Sequence, residues 1–196
     1  MSEPLRKIRA SIGADLCSDT VVSFDDEAIV LVDRHDNEIG YLSKAEAHQG
    51  TGLLHRAFSI FVFDKKGRLL IQRRSAGKRL WPNYWSNTCC SHPRRGEAID
   101  TAVHRRLYEE LGLRCELDFL FKFQYEAQFD ANGGENEMCW VFAGHSSQMP
   151  RINRREISDV CYIEPETLDR QMVDAEREFT PWFRLEWSRI RDVAMT

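Results

Sequence analysis

Residues 98 to 111, AIDTAVHRRLYEEL, carry the clearest helical period in the chain, and strand-like runs flank them on both sides. At about 100° per residue, Ile99, Ala102, Val103, Leu107 and Leu111 define one apolar arc, and Gly112 follows where a chain turns out of a helix. Arg106 and Glu110 fall inside that arc. An isolated buried charge is costly, so the two either form an i,i+4 pair at the arc's edge or are satisfied by a ligand or a metal. Glu109 lies away from the arc's centre and reads as a solvated or supporting carboxylate.

Around this helix the chain is laid out in short pieces. Ala28–Arg34 and Glu38–Leu42 read as strands joined across His35-Asp36-Asn37, and Phe58–Asp64 and Arg68–Arg73 as a second pair across Lys65-Lys66-Gly67. Leu113–Gln128, Met138–Gly144 and Val160–Ile163 read as further strands, with Asn132-Gly133-Gly134 as a turn. Pro165–Val173 and Pro181–Val193 read as closing helices. The pattern predicts an α+β fold, a mixed α/β sandwich, with a loose arm over residues 1–25 and a single domain over residues 26–196.

A chain of 196 residues that is 42% hydrophobic and 30% charged can bury a real core, and its apolar runs are too short for a membrane-spanning helix. The net charge of −4 argues against broad nucleic-acid binding. Arg73, Arg74, Lys78, Arg79, Arg94, Arg95, Arg105 and Arg106 nevertheless crowd one third of the chain, which suits a small polyanion. The six cysteines come without a secretory leader pattern or a CxxC pair, which predicts a reducing, cytoplasmic setting and free thiols.

The segment WPNYWSNTCCSHPRRGE, residues 81 to 97, crowds two cysteines, a histidine, three aromatics and two prolines into one stretch. In an extended segment Cys90 and His92 share a side and Cys89 faces the other way, and a nearby cation would favour the Cys90 thiolate. Trp81, Pro82, Tyr84 and Trp85 suit stiff walls that exclude water. His48 and His55, seven apart across a glycine-containing spacer, are either surface residues or two ligands of one metal. Glu135 and Glu137 lead into a strand, where i and i+2 project together, either as exposed like charges or as a ligand pair.

Taken together, RLWPNYWSNTCCSHPRRGE, HQGTGLLHRAFS, RRLYEELG, ENEMC and TPW resemble type I isopentenyl diphosphate isomerase, a Nudix-fold enzyme, over roughly residues 28 to 190. The resemblance implies a central mixed sheet flanked by helices and the conversion of isopentenyl to dimethylallyl diphosphate in isoprenoid biosynthesis. The reaction adds a proton at C4 and removes one from C2. It further implies that His48, His55, His92, Glu135 and Glu137 bind a divalent ion, Mn²⁺ or Zn²⁺, and that Glu110 holds Mg²⁺ with the diphosphate. Lys44, Arg74, Lys78 and Arg106 match the diphosphate-contacting bases. Cys90 and Glu137 match the proton-transfer pair, with Tyr125 beside the glutamate and Trp182 facing developing positive charge. No flavin is implied, nor any nucleic-acid or membrane partner.

Arg106 stands where the Nudix hydrolase signature has a metal-binding glutamate, which leaves the site suited to holding a diphosphate rather than cleaving it. Ser91 replaces the signature's leading glycine and raises the question whether a positive φ is needed there. A Nudix diphosphohydrolase is the alternative reading. A cysteine hydrolase built on Cys90 and His92 lacks any sign of an oxyanion hole, and a metal-stabilised binding module would unfold on losing its metal.

Overall fold

A computed structural model describes residues 17–131, 133–175 and 178–194. The strands are β1 (Cys17–Ser18), β2 (Ala28–Val32), β3 (Glu38–Ser43), β4 (His55–Phe63), β5 (Leu69–Arg74), β6 (Trp85–Ser86), β7 (Cys89–Ser91), β8 (Leu117–Asp130), β9 (Gly133–His145), β10 (Ile152–Asn153) and β11 (Ile157–Ile163). The helices are α1 (Lys44–Ala47), α2 (Ile99–Leu111), α3 (Pro165–Asp174) and α4 (Pro181–Ala194). The expected α+β mixture is present. Among the described residues no helix is long and apolar enough to cross a membrane.

Strand β4, HRAFSIFVF, organises the molecule because it is apolar on both faces and therefore central. It runs parallel to β9 from His55↔Glu137 to Phe63↔His145, and antiparallel to β7 through Ser59↔Cys90. Its side chains alternate between two cores. Phe58, Ile60 and Val62 pack with Cys89 and with Val103, Leu107 and Leu111 of α2. Phe61, on the other face, packs with Trp81, Trp85, Tyr125 and with Trp182, Phe183 and Trp187 of α4. Each fully buried leucine or valine contributes roughly 1.5–3 kcal/mol, so these two faces fix the sheet against its helices.

Helix α2 ends as its sequence predicts: Gly112 has φ 64°, and its N–H donates to the Tyr108 carbonyl oxygen. The segment 81–97, expected to run extended past Cys90, holds the short strands β6 and β7. One expectation changes. Gly133 and Gly134, expected in a turn, begin β9. A Cβ at Gly133 would lie 2.8 Å from Leu80 Cδ2 and 3.1 Å from the His48 carbonyl oxygen, so the bare backbone lets β9 approach the segment after α1.

The expectation of a loose arm falls on residues 1–16, which lie outside the described part, and on residues 17–25, which pack on the domain. Strand β1 pairs in parallel with β10, and the Val22 carbonyl oxygen accepts from Arg106 Nη1 at 2.7 Å. Ser23 Oγ accepts from Lys44 Nζ at 2.5 Å.

Candidate metal and active site

Three histidines meet because three elements end at one point. His48 caps the C-terminus of α1, His55 opens β4, and His92 follows β7. Strand pairing sets His55 directly across from Glu137, and the alternation of β9 sends Glu135 to the same side. The ligand atoms of His48, His55, His92, Glu135 and Glu137 all lie within 4.8 Å of one another.

Local hydrogen bonds aim these groups. Nδ1 of His48 lies 2.7 Å from the Lys44 carbonyl oxygen, and Nδ1 of His55 2.7 Å from that of Leu53. A carbonyl can only accept, so both Nδ1 atoms carry the proton and both Nε2 lone pairs face inward. His55 Nε2 then stands 3.2 Å from His92 Nε2, which itself lies 3.0 Å from Glu137 Oε1. Glu135 Oε2, 2.9 Å from His48 Nε2, is buried without a hydrogen bond. Converging imidazole lone pairs and an unsatisfied carboxylate oxygen fit a divalent cation.

Charge states follow from burial and neighbours. Burial depresses His92 well below its ordinary range, Glu137 only partly offsetting it, which leaves the neutral imidazole that a metal needs. Burial alone would also depress His48, but Glu135 outweighs it and raises this histidine. Burial favours the acid form of Glu137, yet the adjacent His55 and His92 imidazoles overcome it and hold the carboxyl well below the usual range. The Tyr125 hydroxyl donates to Glu137 Oε2 at 2.5 Å, and its own proton is held far more tightly than usual by burial and then by the Glu137 charge.

The cluster borders a cavity of about 310 Å³ lined by Lys44, Arg74, Lys78, Cys90, His92, Arg106, Tyr125, Glu135, Glu137 and Trp182 among others. Cys90 and His92 do share a side, while Cys89 is fully buried in the α2 core. The expected thiolate is overturned. Burial pushes Cys90 up to about 12 although Arg74 Nη1 is 3.8 Å from its sulfur, so desolvation wins over the neighbouring cation. Ser91 lies in β7 without a positive φ, so no glycine is required there. Trp81 and Trp85 are core residues behind the cavity rather than lining it.

At the cationic end, Arg106 and Glu110, both 2% exposed, form an ion pair, and Glu110 lies behind the cavity wall rather than on it. Glu109 bridges Arg105 and Arg106. Arg74 commits Nε and Nη2 to the carbonyl oxygens of Trp81 and Leu80, and its guanidinium lies 5.2 Å from the Trp182 ring centroid. Sequence reasoning missed Glu156, a buried carboxylate of the segment before β11 that pairs with Lys78 and lies 3.5 Å from Arg106 Nη2. Those cations hold Glu156 down to about 2, against the pull of burial. No local pattern distinguishes it, since its partners come from distant segments.

A NUDIX domain match spans residues 53–183. Isopentenyl-diphosphate Delta-isomerase 1 of Photorhabdus laumondii is 43% identical, with 84% of this chain and 94% of that one covered. Isopentenyl-diphosphate Delta-isomerase 2 of the same organism is 47% identical over 81% of this chain and 89% of its own. Among solved structures, one from Deinococcus radiodurans has a TM-score of 0.69 at 22% identity, covering 83% of this chain and 98% of that one. The MutT protein of Methanosarcina mazei has a TM-score of 0.62 at 16% identity, covering 73% and 96%. These two share the fold, while the closer sequence relatives decide the family. With relatives of this identity over most of its length and theirs, the chain belongs to the isopentenyl-diphosphate Delta-isomerase family of NUDIX-domain proteins.

Proposed function

We propose that this chain interconverts isopentenyl and dimethylallyl diphosphate, with Cys90 and Glu137 as its proton-transfer pair. The observation that carries the reading is what one cavity brings together: a thiol kept protonated and a carboxylate kept ionised line it, Lys44, Lys78 and Arg106 gather around Glu156, and Arg74 reaches the Cys90 sulfur. Lys44, Lys78, Arg74 and Arg106 hold the diphosphate, and no P–O bond breaks. One member of the pair gives a proton to C4, the π electrons forming the new C–H bond and leaving positive charge at C3. The other takes a proton from C2, and those electrons close the new double bond.

An alkene is a weak base, so the site must be dry and the developing cation must be stabilised. The Trp182 face supplies that stabilisation; its ring already lies beside the Arg74 guanidinium. Tyr125 fixes the Glu137 carboxylate through their hydrogen bond. His48, His55, His92, Glu135 and Glu137 would hold Mn²⁺ or Zn²⁺, whose charge would lower the affinity of Glu137 for a proton, and Glu110 would hold Mg²⁺ with the diphosphate only on leaving its pair with Arg106. A thiol that must stay reduced suits a cytoplasmic enzyme.

NMR of isopentenyl diphosphate in D₂O with Mg²⁺ and Mn²⁺ or Zn²⁺ tests this. Deuterium entering the dimethylallyl methyl group without phosphate release is the expected result. Phosphate release without isomerisation would mean a diphosphohydrolase instead.

A further inference from the structure

Helix α4 buries Trp182, Phe183, Trp187 and Ile190, and in the middle of that apolar stripe stands Glu186, 0% exposed. Its Oε1 accepts from Cys139 Sγ at 3.4 Å, the Ser59 hydroxyl is a second hydrogen-bond neighbour, and its Oε2 has no hydrogen-bond partner among the described residues. Cys139 Sγ is in turn 3.6 Å from Ser59 Oγ, closing a triangle. A carboxyl enclosed without a cation is costly and asks for a reason.

Each corner of the triangle touches the element behind a proposed site residue. Ser59 is the β4 residue paired with Cys90. Cys139 follows Glu137 by two on β9 and shares its face. Glu186 follows Trp182 by one helical turn. We propose that Glu186 is a positioning residue, a polar latch that holds the Trp182 turn of α4 in register with the strands carrying Cys90 and Glu137. The proposal rests on the assignment of those three residues to the alkene end of the cavity.

Burial keeps this carboxyl in its acid form, raising it to about 8, the Glu137 charge adding to that and the Ser59 and Cys139 hydrogen bonds opposing it. The other groups in reach are Arg189 on α4 itself and, packed on Trp182, Tyr125 of β8. Asp169 of α3 is taken by Trp187 and Arg191. The Ser59 and Cys139 hydrogen bonds favour the ionised form, but burial and the Glu137 charge outweigh them, so ionisation puts an uncompensated charge into the apolar stripe and loosens the latch.

The test uses the full chain with its metal ions and compares E186L, E186Q and C90A with the parent across roughly pH 6 to 9.5. Isomerisation kinetics are measured beside the affinity for inorganic pyrophosphate. E186L is expected to lower kcat about tenfold while KM and pyrophosphate affinity stay within about twofold, since misplacement affects the chemical step and not the clamp. E186Q, which keeps a donor and an acceptor, restores kcat to within about threefold, and its kcat no longer declines above pH 8. Parent-like kcat in E186L, or parallel loss of kcat and pyrophosphate affinity, overturns the latch. If E186L does not fold, E186Q decides alone: an alkaline decline in kcat matching the parent overturns it. Turnover surviving in C90A sinks the assignment beneath the proposal, whereas a dead C90A with an unaffected E186L sinks the latch only.

Discussion

Glu137 and Glu186 are enclosed by the same sheet and linked through Cys139, yet they are held in opposite charge states. At the cavity end of one face of β9, Glu137 has His92 at 3.0 Å, His55 at 3.6 Å and the Tyr125 hydroxyl at 2.5 Å, and is held well below the usual carboxylate range. Farther along that face, under α4, Glu186 makes no ion pair with any described residue, has a thiol as its closest donor, and is pushed up to about 8. Both are buried, so depth does not set the charge. Neighbours do: a carboxylate beside histidines and a tyrosine hydroxyl stays ionised in a core that neutralises one with only a thiol and a serine hydroxyl in reach. The region built for chemistry supplies those neighbours, and the region built for packing withholds them.

The hardest test of this contrast is to remove the charge where it is supported. Glu137→Gln and Cys90→Ala are each expected to lower turnover about 10³-fold or more, with circular dichroism unchanged. Chelation should do the same reversibly, since the aromatic cores do not depend on an ion. If Glu137→Gln kept most of its turnover, the support around that carboxylate would be structural.

Arg106 stands between the two cases, a buried charge matched by Glu110 and by Glu156. Arg106→Glu places three carboxylates together and breaks a buried pair. The expected cost is about 3–5 kcal/mol in urea unfolding, with weakened pyrophosphate binding in calorimetry. Unchanged affinity in a folded variant would make the inward charge a matter of packing alone.

How far the sequence revealed these regions depends on which contacts are local. Helix α2, with its glycine cap and two inward charges, was readable because a period is a local property. The histidines were not readable from spacing, because they meet only where α1, β4 and β7 come together, and the pairing of β4 with β9 adds Glu137 across from His55 over a long sequence separation. Only the motif resemblance brought them together. The Cys90 thiolate was misjudged because basic neighbours show in sequence and desolvation does not. Glu156 depends on Lys78 and Arg106 from distant segments. Glu186 is a different kind of miss. It lies four residues after Trp182 in an apolar stripe, so the periodicity argument that exposed Arg106 and Glu110 applies equally to α4 and finds it.

The unsupported carboxyl gives the next largest effect, on stability. Its pKa is about 8 in the folded chain against an ordinary 4.5, so between those values the native state holds a proton that the unfolded chain has released. Stability therefore falls as pH rises, by about 1.4 kcal/mol per unit from this group alone, and becomes level above the folded value. Glu186→Gln has no proton to hold and is expected to be about 3 kcal/mol more stable than the parent at pH 7, with that slope gone. Urea unfolding between roughly pH 5 and 9 measures both. A parent-like slope in the variant would show that Glu186 is already ionised and would erase the contrast with Glu137.

Lys44 sharpens the comparison at the cationic end, where burial, with Lys78 and Arg106 adding to it, lowers its ammonium to about 8. The same desolvation that raises an acid lowers a base, so two groups of opposite type reach similar values in one molecule. Their consequences differ. A diphosphate binds the charged form of Lys44 best, so above pH 8 KM should rise, by up to about tenfold per unit, as that charge is lost. Ionisation of Glu186 should act on kcat instead. Lys44→Arg keeps its charge across this range and is expected to flatten the KM profile while leaving the kcat profile as it is. If both parameters changed together in the parent and both flattened in Lys44→Arg, one group would control them, and the two ends of the cavity would not titrate independently.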